Sequence, residues 1–349
     1  MILPRPAARR CLFLLLALGL LAACPSTDSP PSATTCFIRR NLFLGTLYTV
    51  TIYHHQPTGK VYAAYEQLVR DLNRLEAMTS FQSPDSEIRR INNSAGGSRI
   101  ALSRPFARLL DTADRYYRET DGCFDVTVHP LLAEWGFYRQ KQSDPDPRQM
   151  SAILARIGFH RLHWQPGTAE LLIPEGGVQL DFGGMIKGVA MDRAVTILRS
   201  AGLTNFHLDF GRSSHFAAGP ADGRGWRIPI ATPRNPEQVL LEARLDGYAL
   251  AISAGGADWH SRSGQSYSLI VDPRNGQPAT TPTMSVVISA RATAADAWST
   301  ALLVDEGLLQ KRTSLSPDLT AAAVITPGGV IRWYPDRVTV RPFFPDPSP

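Results

Sequence analysis

Cysteine is scarce in this chain: four residues of 349. Cys11 and Cys24 fall in an N-terminal leader, so only Cys36 and Cys123 remain, which excludes a fold stapled by several disulfides. An oxidising compartment would permit that pair to bridge. Their spacing says nothing about proximity, and two separate thiols are the expectation. Clustered positive charge is also missing. Lys and Arg outnumber Asp and Glu by 36 to 31, but they are scattered apart from Arg5, Arg9 and Arg10, which excludes the basic footprint of a nucleic-acid binder. No internal repeat appears, so a solenoid is excluded.

The three leader arginines precede an apolar run, Cys11 to Ala23, that is too short to span a bilayer comfortably and suits a signal peptide. The run ends in Leu21-Ala22-Ala23-Cys24, which resembles a bacterial lipobox, in which the cysteine is lipidated and becomes the mature N-terminus. Uncleaved anchor and ordinary secretory signal are the competing readings. Pro, Ser and Thr then dominate without apolar periodicity, the composition of a flexible tether. The expected organisation is a signal peptide over 1–23, a lipid-attachment cysteine and tether over 24–40, and one folded domain over 41–349. Such a protein sits at the bacterial periplasm, anchored through Cys24 to the inner or outer membrane.

Thr46–Tyr53 alternates with period two and reads as the first strand of the body. Val61, Tyr65, Leu68, Leu72 and Leu75 recur at helical spacing, and a second helix covers about Ser103 to Thr120, ended by Asp121-Gly122. Tyr138 to Arg148 is a polar surface insertion. The segment from Val178 reads strand, turn, helix, strand, with the turn at Gly183-Gly184 and a buried stripe of Ala190, Ala194, Ile197, Leu198 and Ala201. The rest is strand-rich, apart from one helix starting near Thr293.

The Gly183-Gly184 turn is the most informative feature. Glycines allow close backbone approach, a helix start directs N–H groups at negative charge, and Lys187 adds a cation beside Asp181, so the segment suits a phosphate-bearing ligand. A structural ion pair between Asp181 and Lys187 is the other reading. Asp296 and Thr300, four apart on one helix, would point two oxygens the same way, which suits a hard cation such as Mg²⁺. A capping role for Thr293 and Asp296, with Thr300 bonded back to a carbonyl, competes with it. Asp272-Pro-Arg-Asn-Gly276 reads as a turn, Asp125 as an Asx-type loop residue and Trp135 as core.

Taken in order, Met78-Thr-Ser-Phe81, Gly122 to Leu131 with Trp135-Gly-Phe137, Leu180 to Asp192, Asp272 to Gly276, and Thr293 to Leu302 resemble the signatures of the ApbE family, the FAD:protein FMN transferases. The resemblance runs from about Leu44 to beyond Leu303. It implies an α+β fold, a mixed sheet core flanked by helices, and an enzyme that takes FAD and Mg²⁺, splits the pyrophosphate, and joins FMN through its phosphate to a Thr or Ser hydroxyl, releasing AMP. The implied partners are FAD, an acceptor flavoprotein subunit of a membrane redox complex, and the membrane itself through the N-terminal lipid; nucleic acid is not among them. By position, Asp296, Thr300 and the carbonyl of Gly184 would hold the metal, with Asp296 and Lys187 catalytic. Leu44, Phe81, Cys123, Phe124, Asp125, Asp181, Lys187 and Ile270 would line the FAD pocket. Three positions depart from the family pattern: Leu269 stands in place of a histidine, Arg212 in place of a glycine, and Gly256 in place of Asp or Asn. They motivate the alternatives of a paralogue that binds or hydrolyses FAD without transferring FMN, and of a lipid-anchored scaffold.

Overall fold

The computed structural model describes residues 34–138, 145–174, 176–219, 225–232, 235–255, 259–260, 266–279, 284–311, 317–326, 329–334 and 340–342. The signal peptide, Cys24 and Gly256 lie outside these residues. An eight-stranded sheet organises the rest, its strands running in the order 35–43, 46–54, 206–210, 214–218, 248–254, 284–289, 319–325, 331–334. The α+β class holds. Every described ladder of this sheet is antiparallel. Three of the neighbouring pairs, 35–43 with 46–54, 206–210 with 214–218 and 319–325 with 331–334, are joined by connections of a few residues, which force that direction.

Period-two alternation sorts the sheet residues between two cores. Ala249, Ala251, Val287, Ala322 and Val324 face a helical layer, whereas Leu250, Val286, Ile288, Ala321 and Ala323 face the opposite side. A smaller three-stranded sheet, made by 226–232, 235–245 and 340–342, covers that second side with Ile228, Ile230, Leu241 and Ala243. These strands are buried on both faces, so their sequences are apolar almost throughout.

The helices are α1 (Thr58–Thr79), α2 (Glu87–Asn92), α3 (Arg104–Glu119), α4 (His129–Glu134), α5 (Pro147–Leu154), α6 (Ile186–Ser200), α7 (Ala292–Val304) and α8 (Leu308–Lys311). Ser103 caps α3 by accepting the Phe106 N–H, as Ser86 caps α2 through Arg89. Gly188 brings α6 against α7, because a Cβ there would stand 2.4 Å from the Ala292 carbonyl oxygen. No helix among the described residues is long and apolar enough to cross a membrane.

Three local expectations change. The fold begins with a strand at Thr35, inside the segment expected as tether to residue 40. That strand lies at the sheet edge and buries only Phe37 and Phe43, so it carries almost no alternation to read. The segment from Val178 to Phe182 is not a strand. Its backbone is held by other groups: Leu180 N–H donates to Asn92 Oδ1 at 2.7 Å, Asn92 Nδ2 donates to the Leu180 carbonyl at 2.9 Å, and Asp181 N–H donates to the Val126 carbonyl at 2.7 Å. Part of the expected polar insertion is helical, since Asp146 caps α5 directly after it. Cys36 and Cys123 are both thiols, with no disulfide between them.

Candidate functional site

The glycine turn leads directly into α6, and α6 lies along α7, so one corner of the fold gathers Lys187, Asp296, Thr300 and Gly184. Asp296 is 3 % exposed. Its Oδ2 accepts the Gly188 N–H at 2.9 Å, and its Oδ1 stands 3.5 Å from Lys187 Nζ. Burial raises the Asp296 pKa, while Lys187 and the amide donors oppose the shift. Thr300 Oγ1 lies 3.4 Å from the Gly184 carbonyl and 3.2 Å from that of Asp296. The hydroxyl therefore back-bonds along its helix and also faces the turn.

The capping alternative for Thr293 is corrected. The residue preceding α7 is Arg291, and the cap comes from another helix: Asp192 Oδ1 accepts the Ala292 N–H at 2.7 Å, while its Oδ2 accepts the Thr293 N–H at 3.0 Å and the Thr293 hydroxyl at 2.6 Å. Asp296 is thereby freed from capping its own helix, and it accepts instead the Gly188 N–H in the first turn of α6. The ion pair expected between Asp181 and Lys187 is likewise corrected, because Lys187 pairs with Asp296. Asp181 instead accepts the Gly183 N–H at 2.5 Å and the Tyr138 hydroxyl.

A cavity of about 920 Å³ opens beside this corner, within the range of small-molecule sites. Leu44, Phe81, Asp181 and Lys187 line it, as does Gly183. Leu44 adopts φ 47° and Gly45 φ 74° in the two-residue turn between the first two strands. A non-glycine residue in the left-handed region costs about 1 kcal/mol or more, and such strain collects at ligand clamps.

Cys123, Asp125 and Ile270 do not line this cavity. Asp125 is fully engaged below it: Oδ1 accepts the Thr127 N–H and hydroxyl, each at 2.8 Å, and Oδ2 accepts the Phe159 N–H at 3.0 Å. Burial pushes its pKa up to about 6 despite those donors. The Asx-type reading of this residue thus holds, and its role is to fix the loop. Cys123 is 1 % exposed in the main core. Phe124 supports the glycine turn, its ring lying 3.2 Å from where a Gly184 Cβ would be. Ile270 belongs to the loop next to the Asp272 turn, its carbonyl accepting the Ala279 N–H at 2.8 Å. Trp135 is core as expected, with its indole N–H on the Gly276 carbonyl at 2.8 Å.

Two cavity residues were not singled out in the sequence, His129 and Tyr138. Their rings stack with centroids 4.6 Å apart, and Phe81 lies 4.8 Å from His129. Burial lowers the His129 pKa against the pull of Asp181, 4.0 Å away, so the imidazole is neutral near pH 7. Only the position of His129 beside Pro130 at a helix start hinted at a fixed orientation. Among the departures, Leu269 is 45 % exposed and Arg212 adopts φ 61°, a conformation that favours glycine. The Arg212 turn adjoins the cavity, since a Cβ on Gly211 would stand 2.6 Å from the Thr46 side chain that lines it.

Among the described residues, no group of three His, Cys, Asp or Glu side chains is placed to hold a metal. The donor set is instead one carboxylate, one hydroxyl and one carbonyl, all oxygen, which suits a hard divalent cation that keeps waters or phosphate in its other positions. A side chain at Gly184 would fill the space, with its Cβ 3.1 Å from Thr300 Oγ1.

Comparison with known proteins agrees with this geometry. The FAD:protein FMN transferase of Treponema pallidum is 28 % identical over 284 residues, covering 77 % of this chain and 78 % of that protein. Its counterpart in Vibrio cholerae is 29 % identical over 306 residues, covering 85 % and 87 %. Among solved structures, the Thermotoga maritima ApbE protein superposes with a TM-score of 0.76 at 25 % identity, covering 85 % of this chain and 96 % of that one. The apo Pseudomonas stutzeri flavinyl transferase ApbE gives 0.73 at 26 %, covering 86 % and 94 %. Residues 44–315 match the ApbE family, and with the glycine turn, the buried acid and the cavity in their places, the chain belongs to that family.

Proposed function

We propose that this protein is a magnesium-dependent FAD:protein FMN transferase, held at the periplasmic face of a membrane by lipid on Cys24. The observation that carries the reading is the junction of the 920 Å³ cavity with the Gly183-Gly184 turn, Lys187 and the buried Asp296. Gly184 O, Thr300 Oγ1 and Asp296 would hold the cation, which supplies charge neutralisation and Lewis acidity at a pyrophosphate. Lys187 reaches the same place with a mobile positive charge. The turn lets the backbone approach phosphate oxygens, and Phe124 beneath it keeps it from sagging. Leu44, Phe81, His129 and Tyr138 offer apolar and aromatic surface for a ring system. An acceptor Thr or Ser oxygen forms the new bond to the FMN phosphorus as the bridging oxygen leaves with AMP, a displacement whose catalysis is mainly positioning and electrostatics.

A second reading, FAD binding or hydrolysis without transfer, is favoured by Arg212 at a backbone position suited to glycine and by the exposed Leu269. The test is to mix the purified soluble domain with FAD, Mg²⁺ and a Thr-containing domain from a membrane flavoprotein. Flavin fluorescence on the acceptor in a denaturing gel supports transfer. AMP and FMN release without labelling supports the second reading, and no FAD binding refutes both.

A further inference from the structure

A second concavity lies farther along α6, sharing no lining residue with the flavin cavity. It measures about 590 Å³ and is walled by α1, α3, α6 and the start of α7. Five arginines line it: Arg70, Arg74, Arg108, Arg193 and Arg291. The carboxylates there are Asp71 and Asp192, and both are occupied. Asp71 pairs with Arg193 at 3.5 Å, and Asp192 caps α7. Arg70 has a loose exposed pair with Glu66 at 3.8 Å. Arg74, Arg108 and Arg291 have no ion-pair partner among the described residues, although Arg291 is close enough to Asp192 to act on its charge.

Three guanidinium groups on three different elements face one concave space, two of them with no acidic partner among the described residues and the third sharing Asp192 with the start of α7, an excess of positive charge that an anion would relieve. We propose that this groove binds the phosphate group of a small phosphorylated molecule. Guanidinium forks match phosphate oxygens bidentately, which favours phosphate over an ammonium-type point contact. The donors surround the space from several walls, an arrangement for a compact multivalent anion; an extended acidic peptide would meet a single row. The Thr112 and Thr196 hydroxyls donate to the Arg108 and Asp192 carbonyls within their own helices, each at 2.8 Å, and Leu109, Val189 and Ile197 supply an apolar floor for the rest of the molecule. The N–H groups at the start of α7 are already taken by Asp192, so the arginines carry the site. The proposal does not depend on the transferase reading.

The test uses the whole chain and its Arg74→Gln/Arg108→Gln/Arg291→Gln variant. Thermal unfolding is followed with inorganic phosphate and AMP against chloride of equal ionic strength, and co-sedimentation with vesicles of phosphatidylglycerol against phosphatidylcholine. The wild type should show a phosphate- or AMP-dependent rise in Tm, or selective sedimentation with phosphatidylglycerol, and the variant should weaken that response at least tenfold while FAD binding stays unchanged. A response to soluble phosphates assigns a metabolite, and one to vesicles alone a lipid headgroup. No response in the wild type beyond that to chloride, equal responses in the two proteins, or binding of poly-glutamate alone would overturn the proposal. The wild-type measurements need no mutant to fold.

Discussion

Asp296 is the residue on which the site turns, since its carboxylate is almost fully buried yet pairs with a lysine at the cavity edge. Asp296→Ala leaves the Gly188 N–H without its acceptor and Lys187 without its counter-charge, which costs about 1–3 kcal/mol. That is below the total stability of an ordinary domain, about 5–15 kcal/mol. The expected outcome is a folded protein by circular dichroism whose flavin transfer falls at least about 100-fold, the scale of losing a preorganised electrostatic group. Arg212→Gly tests the opposite case. At φ 61° the arginine pays for a left-handed conformation, so the variant should gain about 1 kcal/mol in denaturant midpoint experiments. The residue types were legible in the sequence because a Gly-Gly turn and an i, i+4 pair of oxygens are local patterns. Their true partners were not, because Lys187 meets Asp296 and Asp192 meets Ala292 across a hundred residues of chain or more.

At the scale of elements, the close crossing of α6 and α7 positions the metal-type donors against the lysine. Gly188→Ala puts a methyl 2.4 Å from a backbone oxygen that cannot rotate away. Such overpacking costs about 1–3 kcal/mol or more, so a lower Tm together with weaker FAD binding is expected. The strand 206–210 carries a different liability. His207 stacks on His215, with ring centroids 5.4 Å apart, and on Trp226 at 5.3 Å. Burial, then the neighbouring imidazole, depresses the His207 pKa to about 3, and burial also lowers that of His215. The unfolded chain therefore binds protons below pH 6.5 that the native state refuses. Stability from His207 is full above pH 6.5 and is lost as pH falls toward 3, by about 1.4 kcal/mol per unit. Urea titrations from pH 7 to 4 should show this slope, and His207→Phe should flatten it. Helices with long apolar stripes, α1, α3 and α6, were readable in sequence. The edge strand 35–43 and the extended 178–182 segment were not, because one buries too little to alternate and the other takes its hydrogen bonds from a side chain and a distant carbonyl.

For the whole molecule, one antiparallel sheet separates two cores, and helices help to wall both of the concavities described above, the larger one together with the turn between the first two strands. That layering could not be read from periodicity, since strands buried on both faces look uniformly apolar and give no sign of which side is helical. Family resemblance supplied the α+β class, a sheet core flanked by helices. The flavin cavity and the arginine-lined groove share no lining residue, so charge changes in the groove should leave flavin affinity unchanged. In the proposed function, Asp296, Thr300 and Gly184 hold a divalent ion that grips a flavin dinucleotide. Calorimetric titration of FAD into folded protein, with and without Mg²⁺ and into Asp296→Ala, tests it most directly. The account expects a one-to-one binding heat that weakens at least tenfold when Mg²⁺ is removed or Asp296 is replaced. Absence of FAD binding, or equal affinity in all three titrations, would contradict it.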